Sequence, residues 1–264
     1  MRFQGCKQSK RRNISTIAIL GATHVGKVRS GNEDVYRVQM DKDAPDGINA
    51  TMIVADGMGG HAAGEVASKM AADGMLSLVN DHPPKPDTHV GEYHHFLGQI
   101  LSDVNLDIFR SGQSPIYQGM GTTCTAAVLK DNQLHVAHVG DSRGYILRAG
   151  ELVQITRDHS WVGEQVEAGR LTLEEAMHHP RRNIVTRAIG IEEKVKVDNF
   201  VETIVPRDII LLCSDGLNSV VDDDGIASTL KTGDVEAKCN RLIELANNNG
   251  GPDNITVVVA EIVA

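Results

Sequence analysis

Residues 122–141 read TTCTAAVLKDNQLHVAHVGD. Two apolar runs in this stretch, TTCTAAVL and QLHVAHVGD, lie on either side of a turn that contains the polar pair Asp131-Asn132. Apolar runs joined by so short a polar turn are typical of a β-hairpin. The same pattern recurs around Ala149-Gly150, between GYILRAG and ELVQIT. We therefore predict sheets that are mostly antiparallel.

Beyond this hairpin, strand-like runs outnumber helical stripes along the chain. Apolar residues repeat with helical spacing in only a few segments, namely 63–70, 97–108 and 235–246. Many strands and few helices, without strict alternation, predict an α+β fold. In that fold two antiparallel sheets pack together as a central β-sandwich, with the helices outside.

The distribution of polar residues predicts the domain organisation. Residues 1–13 are basic and predict a flexible tail, and residues 14–264 predict a single domain. Segment 156–190 is charged and has little strand pattern, and Thr172–Glu175 fits a helix capping box. We expect this segment to form a small, mobile flap subdomain. Trp161 is interpreted as a packing anchor for the flap.

Net charge limits the classes of partner. The chain has 26 Lys and Arg residues against 35 Asp and Glu residues, which gives a net charge of -9. Binding to a phosphate backbone needs a basic surface, so we expect no nucleic acid partner. No heptad repeat is visible, and we therefore expect a monomer.

Cysteine spacing indicates a reducing compartment. The four cysteines, Cys6, Cys124, Cys213 and Cys239, form no C-x-x-C pair and are far apart in the sequence. They are read as reduced thiols of a cytoplasmic protein, with Cys124 and Cys213 in the core. No apolar stretch approaches the roughly 18 residues of a membrane helix, so no membrane span is expected.

Acidic residues recur at the ends of the predicted strands. An ionised carboxylate is costly at a buried strand end unless it is paired or bound to metal. Each acid alone is explained equally well as a turn residue, since Asp-Gly is a common turn. Five such places in one chain favour a cation site. They are Glu33-Asp34, Asp56-Gly57, Asp141, Asp215-Gly216 and Asp253-Asn254.

The types of ligand residue limit which metal ions the site would bind. Carboxylate oxygens select hard cations such as Mg²⁺ or Mn²⁺. The chain has 11 His residues but neither an H-E-x-x-H motif nor the Cys/His spacing of a zinc site. His135 and His138 lie three apart on a predicted strand, so their side chains should point to opposite faces.

Six short motifs, in order, resemble those of the metal-dependent protein phosphatase family, type 2C, and of its bacterial serine/threonine phosphatase branch. Each is weak alone, but their shared order across residues 29–256 is specific. The resemblance implies a β-sandwich of two antiparallel sheets flanked by pairs of helices, with a flap at about 156–190. The motifs are RSGNED (29–34), VADGMGGHAAGE (54–65), GTT (121–123), VGDSRGY (139–145), SDGL (214–217) and GPDNIT (251–256).

The resemblance also implies a centre with two core ions, Mn²⁺ or Mg²⁺, between the sheets. Asp56 would bridge the two ions. Asp215 and Asp253 would complete the shell of one ion, and Glu33 with the backbone carbonyl of Gly57 would serve the other, partly through waters.

Further residues take roles around this centre by the same resemblance. Asp34 would stand behind the direct ligands, and Asn254 would orient Asp253 or a bound water. Asp141 with Asp215 would form a third, weaker metal site. Arg29 matches the arginine that grips the substrate phosphate, although an Arg beside several acids is explained as well by simple pairing with them.

The activity implied is hydrolysis of phosphoserine and phosphothreonine in proteins, including a protein kinase or its targets. A metal-bridging water or hydroxide would attack phosphorus directly, without a covalent phosphoenzyme. The general acid stays open, because Met58 stands where many eukaryotic members carry His. His61 is favoured as a helix-entry residue rather than a proton donor, and a metal-bound water is the alternative donor. The basic pair Arg181 and Arg182 would contact substrate or form a solvated loop.

Two other functions remain open from the sequence. A non-catalytic metal-binding module with the same fold is one, although every expected ligand residue is present. A phosphatase that acts on small molecules is the other.

Overall fold

The computed structural model describes residues 16–40, 43–59, 62–83 and 90–263. The predicted tail, residues 1–13, lies outside these ranges, as does His61. The flexibility of the tail and the division into one domain with a flap stay predictions.

One antiparallel sheet has five strands in the order β1-β11-β10-β7-β8. The first and last strands of the described chain lie side by side in it, with Thr16 opposite Val263. This sheet therefore ties the two ends of the domain together. Its strands are β1 (Thr16–His24), β7 (Arg143–Arg148), β8 (Glu151–Gln154), β10 (Ile209–Cys213) and β11 (Ile255–Val263).

The second sheet has six strands, in the order β2-β3-β5-β6-β9, and the short β4 pairs with the end of β3. All the strand pairs are antiparallel, as the hairpin spacing predicted. The strands are β2 (Asp34–Met40), β3 (Ala50–Met58), β4 (Gly121–Thr122), β5 (Cys124–Lys130), β6 (Gln133–Val139) and β9 (Asp198–Thr203).

Both predicted hairpin turns are present. Asp131, between β5 and β6, has φ of 54°, and Ala149, between β7 and β8, has φ of 51°. These left-handed values are unusual for residues with a side chain, but short turns between twisted strands require them. Gly150 follows with φ of 89°, which glycine adopts without steric cost.

Strand periodicity explains why the central strands are apolar throughout. In β3, Met52 and Val54 join the core between the sheets, whereas Ile53 and Ala55 face the helices. Both faces of the strand are therefore covered, and alternate residues belong to different cores. The fold thus has two sheet layers between two helical layers.

The six-stranded sheet is covered by α1 (Ala62–Asp81) and α2 (Val90–Ser111). The five-stranded sheet is covered by α5 (Asp215–Asn218), α6 (Asp223–Leu230) and α7 (Val235–Asn248). The three helical stripes read from the sequence correspond to α1, α2 and α7. Helix α6 was not predicted, because its eight residues hold too few turns for a clear apolar period.

The two histidines of β6 do face opposite ways. The His135 ring lies 5.3 Å from the ring of Tyr93 in α2, on the helical side. The His138 Nδ1 atom lies 2.9 Å from Thr125 Oγ1, among residues of the sheets. Cys124 and Cys213 are both buried, as predicted. No helix within the described ranges combines the length and apolarity needed to cross a bilayer.

Segment 156–190 holds two short helices, α3 (Trp161–Glu167) and α4 (Leu173–Met177). The predicted capping box is present at Thr172, which caps α4 together with Glu175. The Trp161 ring stacks on His179 at 4.7 Å between ring centres, and the Arg181 guanidinium lies 5.0 Å from the Trp161 ring centre. These contacts agree with a packing role for Trp161 within the flap.

The sandwich core generates a stability prediction. Leu212 is fully buried between the sheets, so Leu212→Ala should lower the free energy of unfolding by about 2–5 kcal/mol. Val153 is 50% exposed on the edge strand β8, and Val153→Ala should cost about 0.5 kcal/mol or less. Urea unfolding of both variants measures the difference. Equal costs would contradict the placement of Leu212 in the core.

Candidate metal centre

Strand alternation brings the predicted acids to one end of the sandwich. Asp34, at the start of β2, lies directly opposite Asp56 near the end of β3. Asp56 continues the series Met52 and Val54, whose side chains point between the sheets. Ser214, which follows β10, reaches the same region from the other sheet and donates a hydrogen bond to Asp34. The site therefore lies between the ends of strands from both sheets.

The Asp34 carboxyl group is held by a neutral hydrogen-bond donor, the Ser214 hydroxyl, rather than by a basic residue. Ser214 Oγ lies 2.7 Å from Asp34 Oδ2, and the backbone N–H of Thr256 donates to Ser214 Oγ at 2.9 Å. The other carboxyl oxygen, Oδ1, is buried and has no hydrogen-bond partner. Asp34 is only 6% exposed, so this oxygen is a candidate acceptor for a bound water.

Asn254 fixes the loop that carries Glu33. Its Oδ1 accepts from the backbone N–H of Glu33 at 2.7 Å, and its Nδ2 donates to the carbonyls of Val25 and Gly31, each at 2.9 Å. The Asn254 side chain therefore links the segment 25–33 to the start of β11. Its predicted role, orientation of Asp253 or of a bound water, stays a prediction.

Gly57 lies where two backbone segments meet. Its N–H donates to the carbonyl of Glu33 at 3.1 Å. A Cβ atom at this position would lie 2.2 Å from the carbonyl oxygen of Gly64 and 2.6 Å from that of Glu33. Only glycine fits at this approach, which brings the Glu33 and Gly57 backbones together at the centre.

The backbone of Asp56 is fixed by the GTT motif. Its N–H donates to Thr123 Oγ1 at 3.0 Å, and its carbonyl accepts from Thr123 N at 2.8 Å and from Thr122 Oγ1 at 2.9 Å. Its carboxyl group lies close enough to that of Asp215 for each to affect the pKa of the other. Asp56 and Asp215, far apart in the sequence, are therefore adjacent in space.

Burial and mutual repulsion raise the pKa values of these acids. Burial raises the pKa of Asp34 to about 7 and that of Asp215 to about 6, and the neighbouring Asp253 adds to both shifts. The pKa of Asp56 is raised further, first by burial and then by Asp34, Asp215 and Asp141. Such a group of carboxyl groups favours a bound cation.

Asp141 belongs to the same electrostatic group. It is 7% exposed, and its pKa is raised first by burial and then by Asp215. The nearby Arg143 pairs with Asp158 at 2.7 Å instead. Asp141 and Asp215 thus influence each other, as a shared weaker metal site requires, while their role as ligands stays a prediction.

Arg29 forms an ion pair with Asp253, with 2.7 Å between Nη2 and Oδ2. Among the predicted acids, and within the described part of the chain, Asp253 alone has such a partner. This is the pairing that the sequence left open as the alternative to phosphate binding. The Arg29 side chain is 54% exposed, and its grip on phosphate stays a prediction.

The described acidic side chains do not by themselves form a complete metal-coordination shell. Across residues 16–40, 43–59, 62–83 and 90–263, no group of three or more His, Cys, Asp or Glu side chains is arranged so that it could hold a metal ion as it stands. The buried orphan oxygen of Asp34 and the unpaired acids around Asp56 nevertheless fit hard cations. Because Mg²⁺ keeps several waters, such a site does not need three direct carboxylates.

Two residues that position the acids were not singled out from the sequence. Ser214 and Thr123 both lie within the motifs, SDGL and GTT, but their partners are 180 and 67 residues away. A hydroxyl next to a predicted ligand was the available signal. It is a weak one, because Ser and Thr at strand ends are common in turns.

The Ser214 hydroxyl gives a second stability prediction. Ser214→Ala removes the donor to Asp34 and the acceptor for Thr256, so the free energy of unfolding in chelator should fall by about 1–3 kcal/mol. Ser77 makes a surface hydrogen bond to Asp81, and Ser77→Ala should cost about 0.5 kcal/mol or less. Urea titration in EDTA compares the two, and no difference would show that the network does not hold Asp34.

Comparison with known proteins agrees with the fold and the motif order. A family model described as Protein phosphatase 2C matches residues 21–242. The serine/threonine phosphatase stp of Listeria monocytogenes is 41% identical over 243 residues, which cover 90% of this chain and 93% of that protein.

Solved structures show the same architecture. The serine/threonine phosphatase of S. agalactiae superposes with a TM-score of 0.85 at 37% identity, over 94% of this chain and 100% of that one. The catalytic domain of the serine/threonine protein phosphatase PstP, solved in complex with two manganese ions, gives a TM-score of 0.80 at 38% identity, over 94% and 99%. The predicted α+β sandwich is thereby confirmed. The chain belongs to the protein phosphatase 2C family of metal-dependent serine/threonine phosphatases.

Proposed function

We propose that this chain hydrolyses phosphoserine and phosphothreonine in protein substrates with two divalent cations, Mn²⁺ or Mg²⁺. The observation that carries the proposal is the convergence of Asp34, Asp56 and Asp215 at one end of the sandwich, without a basic partner for any of them within the described residues. The manganese ions in the related PstP structure support the choice of metal.

The proposed ligands follow the geometry. Asp56 would be the ligand shared by the two ions; its backbone is fixed by two threonines, and its carboxyl group lies near that of Asp215. Asp215 and Asp253 would hold one ion, and Glu33 and the carbonyl of Gly57 would serve the other. The hydrogen bond from the N–H of Gly57 to the carbonyl of Glu33 keeps the two backbones adjacent, which supports this pairing.

Outside this pair, three residues have proposed supporting roles. Asp34 is fixed by Ser214 behind the ligands, and its free oxygen is available to a water. Asn254 fixes the Glu33 loop. Asp141 joins Asp215 at a third, weaker site.

When bound, the cations supply a water of lowered pKa and offset the negative charge on the phosphate oxygens. The residues of the chain hold the reacting groups in place. The guanidinium of Arg29 presents a planar fork that matches two phosphate oxygens, and it lies beside the centre through its bond to Asp253. The substrate phosphate and Asp253 compete for the Arg29 guanidinium. Substrate binding therefore replaces the Arg29–Asp253 contact with a contact between Arg29 and the phosphate.

A covalent intermediate on Cys124 or Cys213 is disfavoured. Cys124 and Cys213 are buried, and burial raises the pKa of each thiol to about 12. Neither therefore exists as the thiolate that attacks phosphorus. This supports direct attack by water. Met58, at the end of β3, carries no proton to donate, so we assign the leaving-group proton to a water at the centre.

The substrates are phosphoproteins, and we propose that they include a protein kinase or its targets. The exposed flap residues Arg181 and Arg182 are candidates to contact them, although Arg181 already lies over Trp161. A monomeric state, a cytoplasmic location and the absence of a nucleic acid partner remain predictions from composition.

Asp56→Asn tests the centre. It removes the proposed bridging charge, so turnover of p-nitrophenyl phosphate with Mn²⁺ should fall by ~10³-fold or more. Mn²⁺ should raise the melting temperature of the wild type but much less that of the variant. Asp131→Asn is the matched control, because this exposed turn residue has a left-handed backbone that Asn tolerates.

Activity of Asp56→Asn near the wild-type level would show that the ligand assignment is wrong. A wild type that is inactive with Mn²⁺ would favour the non-catalytic module instead. Comparison of phosphopeptides with nucleotides and sugar phosphates separates a protein phosphatase from one that acts on small molecules.

Removal of residues 160–178 tests the flap. A protein substrate covers more surface than a small ester, so kcat/KM on a phosphoprotein should fall by a larger factor than kcat/KM on p-nitrophenyl phosphate. Both are measured at saturating Mn²⁺. An equal loss on the two substrates would count against a role in recognition.

A further inference from the structure

His159 lies at the beginning of the flap and has no role in the proposed chemistry. It is 5% exposed, and all of its polar groups are engaged. Its backbone N–H donates to the carbonyl of Gly140 at 2.7 Å, and the N–H of Gly140 donates back to its Nδ1 at 3.0 Å. Two bonds thus clamp His159 to the residue that precedes Asp141.

The Gly140–Asp141 turn is also tightly packed on the side that faces Thr123. Gly140 has φ of 119°, and a Cβ atom there would lie 2.5 Å from the Cβ of Thr123. Thr123 is the residue that binds the backbone of Asp56, and its Oγ1 also lies 2.7 Å from Ser142 Oγ. The Asp141 turn is therefore packed between Thr123 and His159.

The same histidine joins the far end of the flap. Its carbonyl accepts from Thr186 N at 2.8 Å. Its Nε2 lies 3.2 Å from Asp198 Oδ2 in β9, and Arg187 binds Asp198 Oδ1 at 2.9 Å. The two ends of the flap and strand β9 thus meet at one residue.

The hydrogen bonds define which ring nitrogen carries the proton. Nδ1 accepts from Gly140, so the proton of a neutral ring sits on Nε2, which lies 3.2 Å from Asp198 Oδ2 and 2.8 Å from Arg187 Nη1. Burial lowers the pKa of His159, and the cationic Arg187 lowers it too, against the opposing effect of Asp198. His138, 4.8 Å away between ring centres, is likewise buried.

We propose that His159 is a positioning residue. Its Nδ1 binds the N–H of Gly140 and thereby fixes the Gly140–Asp141 turn relative to both ends of the flap. The carboxyl group of Asp141 is thereby kept next to Asp215. The consequence for cation binding rests on the proposed function, because it takes Asp141 as a ligand of the weaker ion. The clamp itself does not depend on any ion.

Three substitutions separate the two ring nitrogens. The side-chain oxygen of His159→Asn reaches the position of Nδ1 and accepts from Gly140. His159→Gln reaches the position of Nε2 and leaves Gly140 without an acceptor. His159→Ala removes both. His179→Asn is the control, because His179 stacks on Trp161 elsewhere in the flap.

The first measurement is amide hydrogen exchange in EDTA, which involves no metal. Exchange at Gly140 should accelerate by ~10-fold or more in the Ala and Gln variants and stay within ~3-fold of the wild type in the Asn variant and the control. Circular dichroism confirms that each variant is folded. Unchanged exchange in His159→Ala, or equal acceleration in the Asn and Gln variants, would overturn the proposal.

The second measurement is calorimetric titration with Mn²⁺. The weakest class of sites should lose ~10-fold or more in affinity in the Ala and Gln variants, whereas the tighter sites change little. Normal weak-site affinity in both would overturn the link to Asp141. If the proposed function is wrong, the results follow a different pattern. Asp56→Asn would then leave the tight Mn²⁺ sites intact. Hydrogen exchange at Gly140 would still report on the His159 clamp, because it is measured without metal.

Discussion

Carboxyl groups of like charge are concentrated at one end of an apolar sandwich, and this unfavourable placement explains most of the local structure. Burial raises the pKa of Asp34 to about 7, and burial together with the neighbouring acids raises that of Asp56 well above its usual value. Without compensation, such a cluster opposes folding, because each ionised group is removed from water beside others of the same sign. Bound cations offset the repulsion between these acids, so the same cluster serves as a cation-binding site.

The chain holds this cluster with neutral groups instead of salt bridges. Ser214, Thr123 and Asn254 bind the backbone or side chains of the acids and add no charge of their own. A lysine or arginine in their place would compete with a metal ion for the carboxylates. Arg29 is the exception: it is exposed and pairs with Asp253, the acid that we propose it exchanges for the substrate phosphate.

The flap is attached to the same framework. His159, Arg187 and Asp198 join both of its ends to the turn before Asp141, so the flap and the turn that carries this proposed metal ligand share one anchor. Thr123 packs against Gly140 and also binds the backbone of Asp56, so it links the Asp141 turn to Asp56.

The sequence by itself determined the two antiparallel sheets, the helices α1, α2 and α7 and the positions of the acids at strand ends, because these follow from periodicities and turns within a few residues. The motif order also identified the family. Only the tertiary structure decided that Asp253 pairs with Arg29, that Ser214 holds Asp34 and that His159 clamps Gly140. The first two contacts join residues 224 and 180 positions apart, and such contacts depend on how the sheets pack rather than on any local pattern. The third spans only 19 positions, but it depends on how the flap folds back against β6.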